Sequence, residues 1–191
     1  LLRLIDDILD LSKIEAGKLQ IIEAEFLTTC FQESILELLS LTAREKGLAF
    51  DFTLDPQMPP KLIGDETRVR QILFNLAGNA IKFTEKGSVR VHASLLSPKN
   101  SEHTRVLFSV SDTGIGISDE QINDIFEPFV QAEGSYTRRY QGAGLGLSIV
   151  RKLVKMLDGE IAIDNTEGNG TTIYISLPFK LILSHQEQAT T

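Results

Sequence analysis

The stretch Asn75-Leu-Ala-Gly-Asn-Ala-Ile-Lys-Phe-Thr84 decides how the rest of this chain is read. At about 100° per residue, Val69, Ile72, Leu73, Leu76, Ala80 and Phe83 fall on one face of a helix, and Asn75, Asn79 and Lys82 line up on another. The first face wants a core. The second offers two neutral amide oxygens and an ammonium one turn apart, a set suited to a hydrated Mg²⁺ and the phosphates it carries. By itself the same set also fits a solvated helix surface, so the glycine-rich segments downstream have to decide.

Upstream, Asp65 follows Gly64 where a helix N-cap belongs, and Lys86-Gly87 is the expected stop. Pro56, Pro59 and Pro60 mark a loop, preceded by the alternating strand Leu48-Ala-Phe-Asp-Phe-Thr-Leu54. Before that, Thr28 or Thr29 is placed to cap a helix running through Ile35, Leu36, Leu38, Leu39 and Leu41 to Gly47, and residues 19–26 can supply a strand. Leu1, Leu4, Ile8 and Leu11 repeat with a/d spacing until Gly17. That stripe either packs on the chain's own core or belongs to a helical hairpin or dimer bundle, and we favour the second. An apolar repeat already under way at Leu1 leads us to expect a piece of a longer protein.

Downstream, residues 89–96 and 105–111 read as two strands joined by a polar turn. Ser111-Asp-Thr-Gly-Ile-Gly-Ile117 follows, then a helical stretch over residues 118–126 and Glu127-Pro-Phe129. Residues 130–141 are polar and unpatterned, and Gly142-Ala-Gly-Leu-Gly-Leu147 opens a helix over residues 148–157. Two closing strands, 160–165 and 171–177, flank a glycine turn, and residues 184–191 read as a disordered tail. Helices and strands are interspersed while paired strands need only short turns, so the fold class is α+β, a two-layer sandwich.

The formal net charge of −7 argues against binding to nucleic acid or to anionic lipid, since both want a basic surface. A polyanionic ligand has to be met locally. The lone Cys30 excludes an internal disulfide and fits a reducing compartment, and nothing reads as a signal peptide or a spanning helix.

The glycine clusters are neither a Walker-type loop nor a dinucleotide fingerprint, because Asp119 and Leu147 or Ile149 stand where the third glycine would be. Asp112 at a strand end, with Gly114 and Gly116 beyond it, can accept from an exocyclic amino group such as adenine's while backbone approaches the flat ring. Three glycines directly before a helix leave N–H groups at a positive dipole end, an anion site. The blander readings are a plain turn and a flexible hinge. The two sharper ones agree if residues 130–141 form a lid that brings Arg138 or Arg139 to the phosphates.

The order Asn75-x-x-x-Asn79-x-x-Lys82-Phe83, Asp112-x-Gly114-x-Gly116, Phe126-x-Pro128-Phe129 and Gly142-x-Gly144-x-Gly146 resembles the N, G1, F and G2 boxes of the sensor histidine kinases of two-component systems. The resemblance runs from the first helix to about Phe179. It implies the Bergerat-type sandwich shared with type II topoisomerases, MutL proteins and heat-shock chaperone ATPases, a mixed sheet backed by three helices, here preceded by one N-terminal helix. It divides the chain into the end of the second helix of a dimerisation and phosphotransfer hairpin (residues 1–18), the catalytic ATP-binding domain (19–183) and a tail (184–191).

By motif position the resemblance implies ATP and Mg²⁺ as cofactors. Asp112 would accept from the adenine amino group, supported by Thr171 or Thr172. Asn79 would give its oxygen to Mg²⁺ with Asn75 nearby, and Lys82 would meet phosphate oxygens. Phe83, Gly114, Gly116, Ile117 and Phe129 would line the nucleotide. Gly142, Ala143, Gly144, Leu145, Gly146 and Leu147 would wrap the phosphates, and Arg138 or Arg139 would approach the γ-phosphate. The hydrolysing relatives carry a glutamate at the position of Asn75 as general base, so an amide there favours a kinase over an ATPase. The implied partners are a phosphoacceptor hairpin and a response regulator receiver domain, in a homodimeric parent that is bacterial and cytoplasmic or anchored in the inner membrane. His92, His103 and His185 lie outside the acceptor context, so the chain alone is expected not to autophosphorylate. The alternatives are a nucleotide-binding signalling module without transfer activity, a hydrolysing ATPase of the same fold, and a structural dimerisation fragment.

Overall fold

The computed structural model describes residues 2–96, 102–118, 120–122, 124–128, 144–166 and 168–182. Its elements run α1 (Leu2–Glu15), β1 (Ala24–Leu27), α2 (Thr28–Glu45), β2 (Ala49–Leu54), β3 (Lys61–Gly64), α3 (Glu66–Phe83), β4 (Ser88–Leu95), β5 (His103–Asp112), α4 (Gly146–Met156), β6 (Glu160–Thr166) and β7 (Gly170–Lys180). The strands form one sheet in the order β1-β3-β7-β5-β4-β2, with β6 paired to the first part of β7. Only β2 and β4 run parallel, so the sheet is mixed, as expected.

Alternation makes this a two-layer molecule. Val89, Val91 and Ala93 of β4, Val106, Phe108 and Val110 of β5, and Ile175, Leu177 and Phe179 of β7 are buried on one face, where α2, α3 and α4 cover them. The intervening residues face away from the helices: Arg90 and His92 are exposed, and the His92 ring hydrogen-bonds Thr53 Oγ1 at 2.9 Å. Phe26, Phe31, Phe52, Phe108 and Phe179 form a chain of tilted and edge-on ring contacts, with centroids 5.6–6.4 Å apart, that joins α2 to the sheet.

Several boundaries move for local reasons. Neither Thr28 nor Thr29 caps α2. Leu27 occupies the cap position without a side-chain bond, and the Thr28 hydroxyl donates instead to Pro59 O at 2.8 Å. The expected strand over residues 19–26 shrinks to Ala24–Leu27, and β3 emerges directly after the proline loop, where the four residues available show no readable alternation. α3 stops at Phe83 rather than at 86–87. The Thr84 hydroxyl donates to Ala80 O, and the Lys46 ammonium takes up the exposed carbonyls of Ile81 and Lys82 at 2.8 and 2.5 Å. The described part of residues 118–128 consists of turns, joined by Ile122 N–H to Ser118 O and Ile125 N–H to Gln121 O.

The described part of the α1 stripe is divided. Leu11 is buried and Ile14 packs on the core, whereas Ile5, Ile8 and Leu9 stay exposed. Asp10 accepts from Gln71 Nε2 at 2.7 Å, and Glu15 pairs with Lys152 at 2.7 Å, which ties α1 to α3 and α4. Among the described residues no helix is long and apolar enough to cross a membrane.

Asp65 caps α3 as expected, accepting from Arg68 N–H at 3.0 Å, and its other oxygen takes Ile22 N–H at 2.8 Å. One buried carboxylate thus fixes both the helix start and the incoming segment. Asp65→Ala is expected to destabilise the chain by about 2 kcal/mol, because two backbone donors lose their acceptor. Urea unfolding measures this; a loss below about 0.5 kcal/mol, the level of an ordinary surface substitution, would refute it.

Candidate functional site

The site grows from the end of β5. Alternation along the strand puts Asp112 on the same face as Phe108 and Val110, under the helix layer, where it is half-buried. Its Oδ1 accepts Gly114 N–H at 2.8 Å, and the Thr171 N–H also donates to the carboxylate. Burial pushes its pKa above the ordinary carboxylate value, and those two N–H groups offset the shift only in part. No cation pairs with it among the described residues. A carboxylate so placed has acceptor capacity left for a ligand's N–H.

Sheet register puts the two candidate threonines on opposite faces. Thr172 pairs opposite Ser111, and their hydroxyls bond at 2.9 Å on the face away from the helices. Thr171 alternates to the side of Asp112 and is 7% exposed. Its hydroxyl donates to Asn165 Oδ1 at 3.0 Å. That amide also grips the glycine loop: Ile117 N–H donates to Asn165 Oδ1 at 2.8 Å, and Asn165 Nδ2 donates to Ile117 O at 2.6 Å. Gly114 closes the loop from the other side, since a Cβ there would lie 2.7 Å from Phe83 O at the end of α3. The helix with the amides and the strand with the carboxylate therefore meet at one point.

Along α3, Asn75 is only 6% exposed, which removes the solvated-surface reading for that residue. It sits against Gly146, with its Nδ2 3.5 Å from the glycine carbonyl. Asn79, one turn on, is half-buried, and its side chain makes no hydrogen bond among the described residues. Lys82 is half-buried too, with its ammonium 4.9 Å from the Phe83 ring centroid and its pKa lowered by burial. α4 begins at Gly146 with Leu145 at the cap, no capping side chain and no acid in the first turn. Among the described residues no side chain takes up its first N–H groups, which suit an anion at the positive end of the helix. Gly144 precedes it, Leu145 is buried and Leu147 half-buried. Phe129, Arg138, Arg139, Gly142 and Ala143 lie outside the described residues.

The carboxylate strand thus meets the amide-bearing helix where Gly114 closes on Phe83, and the start of α4 packs on the same helix at Asn75. The family described as histidine kinase-, DNA gyrase B-, and HSP90-like ATPase matches residues 64–181. The chain belongs to this family. Its relatives include the autoinducer 2 sensor kinase/phosphatase LuxQ of Vibrio harveyi, 42% identical over 182 residues, which are 94% of this chain and 21% of LuxQ. Full-length ShkA, solved in complex with AMPPNP, superposes with a TM-score of 0.81 at 35% identity over 96% of this chain and 36% of ShkA. The catalytic domain of the histidine kinase ThkA superposes with a TM-score of 0.62 at 28% identity, covering 84% of this chain and 96% of that domain. The chain thus spans about a fifth of the length of LuxQ. It is homologous to the catalytic, ATP-binding domains of sensor histidine kinases, and the mixed α+β sandwich is the fold of that group.

Within the family frame, the donor set suits magnesium carried by a nucleotide rather than held by the protein. Among the described residues no group of three or more acidic, histidine or cysteine side chains could cage a metal. Asn79 offers a neutral oxygen, which matches an ion that keeps most of its waters and phosphate ligands. Sequence reading missed Asn165 and Lys46. Both act on backbone groups brought next to them only by folding, so neither carries a local sequence signal.

Proposed function

We propose that this domain binds ATP with Mg²⁺ and transfers the γ-phosphoryl group to a histidine on a helical hairpin, for relay to an aspartate of a receiver domain. The observation that carries the reading is the half-buried Asp112, held by backbone N–H groups on the helix-facing side of the sheet, with the uncapped start of α4 beside the same α3. In this reading Asp112 and Thr171 take the adenine amino group. Asn79 gives its oxygen to Mg²⁺, and Lys82 and the N–H groups of α4 meet the phosphates, with Arg138 or Arg139 supplied from the lid. The bond between the γ-phosphorus and the bridging oxygen breaks, a bond to an imidazole nitrogen forms, and ADP leaves with the electron pair. The protein's share is positioning and charge neutralisation.

Asn75 supports transfer over hydrolysis. An amide cannot take a proton from water, and here it packs against Gly146. The exposed Ile5, Ile8 and Leu9 on α1 support a further helix of the hairpin, in the same or a second subunit. The parent is read as a cytoplasmic or membrane-anchored homodimeric sensor kinase.

The test is labelling from γ-labelled ATP with the hairpin supplied in trans. Label is expected on the hairpin histidine only, with none on this chain alone and negligible phosphate release. Titration should show ATP binding that tightens with Mg²⁺, and Asn79→Ala should remove most of that tightening, a loss of roughly tenfold for one ligand oxygen. Steady phosphate release by the isolated chain would turn the reading into an ATPase.

A further inference from the structure

We propose that Asn165 is a positioning residue that makes the site select an amino-bearing purine over an oxo purine, by fixing the Thr171 hydroxyl as an acceptor. This rests on the nucleotide reading above. An amide side chain can be placed either way round, but here the Ile117 backbone removes the ambiguity. Ile117 N–H can only meet the oxygen, at 2.8 Å, and Ile117 C=O can only meet the NH₂, at 2.6 Å. The oxygen that Asn165 turns to Ile117 is also the atom 3.0 Å from Thr171 Oγ1. An amide oxygen donates nothing, so the threonine hydrogen must point at Asn165 and only lone pairs remain for a ligand.

Thr171 stands on the same face as Asp112, and its own N–H donates to that carboxylate. The pocket therefore shows the base two acceptors, a carboxylate and a hydroxyl oxygen, and no side-chain donor from either. The amino group of adenine satisfies them directly or through a water. The carbonyl of hypoxanthine or guanine at the same ring position faces lone pairs on both. A site that commits its polar groups in this way rejects the wrong partner strongly, because buried groups are left unpaired. Without Asn165, the Thr171 hydroxyl can rotate and donate to the oxo group, and the discrimination falls.

The experiment compares Kd for ADP and for IDP by calorimetry in the wild-type chain, Asn165→Ala and Asn165→Asp, with thermal unfolding run alongside. The wild type is expected to favour ADP by about a hundredfold, the upper size of the cost of one unsatisfied buried polar group. Asn165→Ala should reduce the IDP:ADP ratio about tenfold. Asn165→Asp keeps an acceptor for Thr171 but sets a carboxylate oxygen against Ile117 O in place of the donor, so it should weaken both ligands while holding the ratio. Equal weakening of both by Asn165→Ala would show mere loop support and overturn the proposal, as would loss of the ratio in Asn165→Asp. If Asn165→Ala does not fold, the Asp variant with Thr171→Val decides: Thr171→Val must lose the selectivity that Asn165→Asp keeps. A wild-type chain that binds neither nucleotide would refute the nucleotide reading instead.

Discussion

Asp112→Asn is expected to weaken ADP binding by at least a hundredfold while leaving the fold within about 1 kcal/mol of wild type at neutral pH. The two effects separate because the carboxylate is held at a cost. Burial raises its pKa, and the N–H groups of Gly114 and Thr171 recover only part of the lost hydration. Asparagine removes the desolvation cost but also the charge that the two N–H groups stabilise, and the two changes oppose each other. For the ligand there is no such balance. The substitution puts a donor where the adenine amino group needs an acceptor.

The pH dependence has a definite sign. A carboxyl whose folded pKa lies above its unfolded value binds more protons in the folded state. Its contribution to stability is complete below the unfolded pKa and is lost as pH rises through the folded one. Wild type should therefore lose ground to Asp112→Asn as pH rises from the ordinary carboxylate range through the raised pKa, and the difference should level off above it. Chemical denaturation of both proteins across that range tests the sign. Wild type gaining on Asp112→Asn with rising pH would mean that partners, not desolvation, govern Asp112. In the liganded protein, affinity should fall on acidification earlier than for an ordinary carboxylate, since only the ionised form leaves both oxygens as acceptors.

Gly170→Ala is expected to destabilise the chain by roughly 3 kcal/mol and to abolish measurable nucleotide binding. Gly170 opens β7 at φ +94°, a conformation that costs a side-chain-bearing residue about 1–3 kcal/mol. A Cβ there would also lie 2.0 Å from the Asp112 carbonyl oxygen and 3.0 Å from Thr113 Cα, all backbone, so the strand has to move. Overpacking of this kind adds about 1–3 kcal/mol. Movement would separate Thr171, next in the chain, from the carboxylate it donates to. Urea unfolding and ADP titration of the same preparation measure both consequences. A variant within about 0.5 kcal/mol of wild type, the scatter of surface substitutions, would show that β7 can shift freely there.

Much of the molecule was legible in linear order because its signals are local. The 3.6-residue stripe of α3, the Asp65 cap, the alternation along β2, β4 and β5, and the order of the glycine boxes all depend on neighbours a few residues apart. From them follow the α+β sandwich and the family to which the chain belongs. Where sequence reading failed, a distant group competed with a local one. Thr28 looked like a helix cap, but Pro59 O came within 2.8 Å of its hydroxyl and took the hydrogen bond. α3 could have run on to Gly87, but the Lys46 ammonium from the end of α2 met its last carbonyls and completed the helix at Phe83.

The site divides in the same way. Sequence by itself determined which residue types are present: a carboxylate at a strand end, amides on a helix face and glycines before a helix. It left Thr171 and Thr172 equivalent, because adjacent threonines in a strand differ only in the face they occupy. That face depends on register against β5, more than sixty residues away. Only the tertiary structure decided that Thr171 joins Asp112 while Thr172 turns to Ser111, that Asn75 is sealed against Gly146, and that Asn165 holds the Ile117 backbone and the Thr171 hydroxyl together. Propensity and periodicity act between near neighbours along the chain, whereas hydrogen-bond partners are assigned by whatever the packed sheet brings within 3 Å.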